Sequence, residues 1–161
     1  MRYLIILITA LVLMSCFKKE PVVRQQDIVL QFIQAGFAKD TTKIKELVSE
    51  KDLQKLEATR KMLVASKDNI PKDIYKSAVE IVDLNNQVEQ NFKKVQGATW
   101  KYVKEEPKSD TTLVFIDFTL NGEKLDIEPF KVVKEANKYR IAICAPEPDV
   151  VKKNLESMLN K

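Results

Sequence analysis

The sequence predicts an α+β domain in which helices come first and an antiparallel sheet follows. Three observations carry this reading. Apolar residues recur at three- and four-residue steps from about residue 22 to residue 96, the period drops to two beyond Gly97, and Asn121-Gly122 lies between two strand-forming runs. A helix face repeats about every 3.6 residues and a strand face every two, so a change of period marks a change of structure.

Residues 22–38 place Ile28, Val29, Phe32, Ile33 and Phe37 on one helical stripe, and Asp40 with two threonines ends it. A short helix over 43–48 turns Ile44, Leu47 and Val48 inward, with Thr41 or Thr42 as its expected cap. Ser49 and Asp52 open a third helix, 49–66, with Leu53, Leu56, Leu63 and Val64 to one side. Lys67-Asp68-Asn69 and Pro71 then turn the chain into a helical hairpin. Residues 72–96 read as one helix of about 25 residues, or about 37 Å at about 1.5 Å per residue. Ile74, Ala78, Ile81, Val88, Phe92 and Val95 form its seam, interrupted by Asn85. Packing on the preceding helix is the expected use of this seam; a dimer along it is the alternative.

In the second half, Trp100 and Tyr102 alternate with Lys101 and Val103, a loop follows over 107–110, and residues 112–120 (TLVFIDFTL) are strongly strand-forming. Asn121-Gly122 predicts a type I′ hairpin, which needs positive φ at both positions. Residues 124–128 and 130–134 continue the sheet, with Pro129 forcing a bulge, an edge or a break between them. Ala136-Asn137 turns the chain into a strand over 138–144, and Val151, Leu155, Met158 and Leu159 mark a C-terminal helix. Four or five strands are therefore expected.

Composition narrows the function. At 161 residues, 45% hydrophobic and 31% charged, the chain has the make-up of one globular domain. It has no histidine, which removes the usual general base near neutral pH and the commonest transition-metal ligand. Two cysteines make no disulfide scaffold, and a net charge of +4 is too mild to argue for nucleic acid.

The first residues give a location. A basic start at Arg2 precedes an eleven-residue apolar run, residues 4–14 (LIILITALVLM), and charge returns at Lys18 and Lys19. Crossing the hydrocarbon takes roughly 20 apolar residues, so this run reads as a signal-peptide core and not as a spanning helix. Leu13-Met14-Ser15-Cys16 resembles the lipobox of bacterial lipoproteins. That resemblance implies cleavage after Ser15, a diacylglyceryl thioether on Cys16 and a further acyl chain, such as palmitate, on the new amino terminus. Two or more chains anchor stably where one does not. The expected organisation is a leader over 1–15, a lipidated tether over 16–20 and a single domain over 21–161. Phe17 after the cysteine implies, by the same resemblance, the outer membrane, with the periplasmic or surface face open.

Few residues suggest chemistry. Asp117 is the one carboxylate within the apolar strand 112–120 and is a candidate general base if its face lines a cavity. The alternate face, Val114, Ile116 and Phe118, is more uniformly apolar and so is expected inward, leaving Asp117 wet. Cys144 follows Ile141, Ala142 and Ile143 and reads as a small core residue; a reactive thiol would need Lys or Arg140 beside it. Lys93, Lys94, Lys101 and Lys104 surround Trp100 and Tyr102, but Glu105 and Glu106 follow, so this reads as a solvated face with Trp100 in the core. Asp126 and Glu128 with Asp117 lack calcium-loop spacing, and neither metal nor cofactor is expected.

The helical start with Asp40 in its first break, the hairpin at Asn121-Gly122 and the run 130–141 (FKVVKEANKYRI) together resemble lipoprotein-associated domains of the nuclear transport factor two-like, or cystatin-like, α+β superfamily. Tyr139 stands where such domains usually have Trp, and Asn137 where they have Gly. The resemblance, over about residues 21–145, implies a curved sheet with a cavity between it and the helices. It implies an architecture and no particular activity. The expected function is that of a membrane-anchored envelope protein whose domain binds a ligand or a protein without catalysis. The alternatives are a cavity enzyme using Asp117 and an oligomer built along 72–96.

Overall fold

The computed structural model describes residues 24–159. The leader, the Leu13-Met14-Ser15-Cys16 motif and the tether lie outside the described residues. The fold is α+β, as the change of period predicts. Helices α1 (Gln25–Ala38), α2 (Thr41–Leu47), α3 (Glu50–Ala65), α4 (Lys72–Val82) and α5 (Leu84–Lys94) precede strands β1 (Thr99–Pro107), β2 (Thr111–Leu120), β3 (Glu123–Leu125), β4 (Phe130–Glu135) and β5 (Lys138–Ala142). Helix α6 (Pro148–Leu159) closes the described chain.

The sheet is an antiparallel meander in the order β1-β2-β4-β5, with β3 paired to the far end of β2. Both predicted tight turns occur. Asn121 and Gly122 have φ of 53° and 85°, and Ala136 and Asn137 have φ of 45° and 65°. Paired positive values are those of the type I′ geometry that suits the twist of a hairpin. Two irregularities bend the sheet. β1 shifts register between Tyr102 and Lys104, and residues 126–129 leave the ladder between β3 and β4, where Pro129 lacks the N–H that pairing would need.

Val114, Ile116 and Phe118 point inward and meet Val132, Ile141 and the α1 residues Val29, Phe32 and Ile33 in one core. Trp100 and Tyr102 share that side, half-buried. Asp117 lies on the opposite face, as its strand alternation predicts.

Three local expectations are corrected. The helix over 72–96 is two helices, broken at Asp83, whose backbone is extended (φ −85°, ψ 111°). The Asp83 carboxylate accepts from the Asn86 amide at 2.9 Å and so caps α5. The Asn86 side chain donates to the Glu80 carbonyl at 2.9 Å, and the Gln87 side chain donates to that of Ile81. The carbonyls that a continuous helix would satisfy are met by these side chains. Ile81 is consequently 61% exposed, whereas Leu84, Val88 and Val95 are buried, so the seam does not run as one stripe. The cap of α2 is Asp40, which accepts from the Lys43 amide at 2.9 Å, and not Thr41 or Thr42. Cys144 is exposed and not a core residue, because its positive φ of 54° turns the chain away from the sheet.

Candidate functional site

The end of the sheet toward α5 opens into a cleft of about 550 Å³. Its origin is local. β3 leaves the ladder at Asp126 and β5 ends at Ala142, and the cleft lies where these strand ends face α5. Phe32, Val88, Phe92, Phe118, Phe130 and Ile141 form an apolar floor. The rings of Phe32 and Phe92 are 5.9 Å apart and those of Phe32 and Phe130 are 6.1 Å apart, at the tilted and edge-on angles that aromatic pairs favour.

Gly36 sets how closely α1 approaches α5. A Cβ at this position would overlap the Phe92 ring, so the ring packs directly against the helix backbone. A glycine in the middle of a helix lowers its propensity, and here it admits an aromatic ring into the floor of the cleft.

The lip is polar. Gln87, Asn91 and Lys94 come from α5, Asp126 and Glu128 from the connection between β3 and β4, and Lys131 from β4. Cys144 completes the wall, with its Sγ 3.6 Å from the Lys131 ammonium. Nine ion pairs occur among the described residues, and none involves Lys94, Asp126, Glu128 or Lys131. Lys94 lies in the last turn of α5, where the helix dipole favours a cation.

Behind the cleft, the first turn of α3 is tied to the sheet by a set of hydrogen bonds. The Ser49 amide donates to the Ile141 carbonyl at 2.8 Å, beside a parallel bridge between Val48 and Ile141. The Ser49 hydroxyl donates to Glu135 at 2.8 Å, and the Glu50 amide donates to the other oxygen of that carboxylate at 2.8 Å. Burial opposes ionisation of Glu135, but these two bonds, with the amide and charge of Lys51, together outweigh it and hold the carboxyl below its ordinary value. Asp52, only 6% exposed, accepts from the Ile143 and Cys144 amides at 2.8 and 3.2 Å. The Arg140 guanidinium reaches Glu50 at 2.9 Å and the Glu46 carbonyl, while its buried Nε has no partner among the described residues. Asp52 therefore fixes the backbone from which the Cys144 side chain faces the cleft.

The candidates read from the sequence are placed apart. Asp117 is on the outer face of the sheet, paired with Lys124 at 2.7 Å, and does not line the cleft. Asp126 and Glu128 do line it, as lip residues. Lys93, Lys94, Lys101 and Lys104 are exposed, and the Lys104 ammonium sits 4.8 Å from the Phe115 ring centre on the outer face. Among the described residues, no group of three or more acidic or cysteine side chains is placed to hold a metal ion, and no helix is long and apolar enough to cross a membrane. Cys16 lies outside the described residues.

A second, more open groove of about 740 Å³ runs between α3 and the α4–α5 junction, past Leu53, Leu56, Val64 and Val82. The sequence reading missed Phe92, Phe130, Asn91 and Lys131 as site residues. The one signal for them was Gly36, unexplained as a helix-interior glycine until a ring is placed against it.

No family model, no curated protein and no solved structure matches this chain.

Proposed function

We propose that this chain is an exported bacterial lipoprotein, anchored through Cys16, whose domain binds a ligand without catalysis in the cleft between α5 and the sheet. The anchor rests on the order of basic start, apolar run and Leu13-Met14-Ser15-Cys16. The cleft is the observation that carries the binding role. At about 550 Å³ it falls within the roughly 300–1,000 Å³ of small-molecule sites. It has the apolar floor and few polar lip groups that such sites share. Its place between sheet and helices is also where the nuclear transport factor two-like resemblance puts a cavity. By the lipobox resemblance, with Phe17 after the cysteine, the outer membrane is the proposed address.

A catalytic role has less support, because Asp117 sits on the far face of the sheet beside Lys124. An oligomer along 72–96 would need a rod that the break at Asp83 interrupts.

Fatty-acid labelling in the native host tests the anchor: Cys16→Ala is expected to abolish labelling and to stall maturation or release the protein, and unchanged labelling refutes the anchor. Native mass spectrometry of the gently extracted lipoprotein tests the binding role. A retained small molecule that Asn91→Trp, at an exposed position of the lip, displaces with the thermal transition intact is the expected result.

A further inference from the structure

We propose that the ligand of this cleft is a single-chain amphiphile whose head carries both a positive and a negative charge. The inference rests on the reading of the cleft as a binding site and names the ligand class. The floor, with Phe32, Phe92, Phe118 and Phe130, offers apolar and aromatic surface and no charge. A hydrocarbon tail there gains about 0.8 kcal/mol for each methylene taken from water.

The head is specified by the lip. Lys94 at the end of α5, Asp126 and Glu128 on the connection between β3 and β4, and Lys131 at the start of β4 all line the opening. Four charges of both signs line one opening, and none of them takes part in the nine ion pairs among the described residues. A purely anionic head would meet two carboxylates, and a purely cationic head two ammonium groups. A head bearing both signs places each charge against its opposite, and complementarity of this kind sets specificity more than affinity. A membrane-tethered domain would meet such molecules at the bilayer, where lysophospholipids with choline or ethanolamine heads have this chemistry.

Cys144 provides the readout. In the full chain carrying Cys16→Ala it is the one remaining thiol, it is exposed, and it lines the cleft. Its alkylation by a maleimide would be followed with lysophosphatidylcholine, oleate or an alkyltrimethylammonium of matched chain length, each below its micelle concentration. Lysophosphatidylcholine is expected to protect the thiol at a roughly tenfold lower concentration than either singly charged amphiphile. The doubly substituted chain Asp126→Lys, Glu128→Lys changes two exposed residues, leaves the floor intact, and is expected to move the preference to oleate.

Equal protection by all three heads, or a preference that the double substitution leaves unmoved, overturns the proposal. Protection by a tail-free zwitterionic tripeptide at the same concentration as lysophosphatidylcholine overturns the amphiphile class but keeps the cleft as a binding site. Failure of every probe, together with no retained molecule in the native mass spectrum, overturns both readings.

Discussion

Carboxylates are used in opposite ways at the corner where the first turn of α3 meets the end of β4 and at the connection between β3 and β4. At the corner, Asp52 of α3 and Glu135 of β4 accept from amides and a hydroxyl at 2.8 to 3.2 Å, and Arg140 ties Glu50 to the same place. At the connection, Asp126 and Glu128 are exposed and make no ion pair among the described residues. Partnered carboxylates hold the fold together, and unpartnered ones on the edge of a cleft are available to something else. Cys144 joins the two regions, its amide held by Asp52 and its thiol facing the opening.

The largest effect that distinguishes the regions is expected at Asp52. Asp52→Ala leaves the Ile143 and Cys144 amides without their acceptor in a buried setting, and a loss of about 2–4 kcal/mol in denaturant unfolding is expected. The same variant frees the Cys144 segment, so its alkylation is expected to quicken even under native conditions.

Gly36→Ala follows, at about 1–3 kcal/mol, because the new Cβ collides with the Phe92 ring. This variant would show that the cleft side stores its stability in the floor and not in the lip. A combined Phe92→Leu, which shortens the colliding side chain, is expected to recover part of the loss.

Glu135→Gln is expected to cost about 1–2 kcal/mol near neutral pH, since a charged acceptor of two bonds becomes a neutral one. It also has a pH signature. The folded-state carboxyl is held below its ordinary value, so its contribution is complete above the unfolded glutamate value of about 4.3 and is lost as the pH falls through the lower folded one. The unfolding free energy of the native chain should therefore drop across that acid window, and the Gln variant should show a shallower drop.

Smallest of all, Asp126→Asn and Glu128→Gln are expected to change stability by no more than about 0.5 kcal/mol, since both are exposed and unpaired. A loss approaching that of Asp52→Ala would mean that the connection is a second structural lock, and the contrast between the regions would fail.

Much of the fold was legible because it is written in local physics. The Val114, Ile116 and Phe118 face was chosen as inward from alternation alone, and all three are buried. Both two-residue turns are visible in Asn121, Gly122 and Asn137, which tolerate positive φ, whereas Ala136 at φ 45° does so against its own preference. Ser49 was legible as a helix opener, and it accepts from the Asp52 amide at 3.3 Å. The break at Asp83 was not seen, although Asp is a strong capping residue, because the apolar stripe continues across it in register. Cys144 was misplaced because its apolar neighbours were taken as its environment, whereas one left-handed residue redirects the chain.

The candidate site was hardly legible. In the sequence Asp126 and Glu128 stand out only beside Asp117, without calcium-loop spacing, and nothing joins them to Lys94, some thirty residues earlier, or to Phe32, nearly a hundred residues earlier. The sequence by itself determined the order and kind of the elements, the inward faces and the tight turns, because each depends on torsions and periodicity within a few residues. That four phenylalanines share a floor and that unpaired charges of both signs line its opening follow only from the packed fold. Those facts depend on how far one helix approaches a sheet edge, and that distance is set by contacts, such as Gly36 against Phe92, between residues remote in the chain.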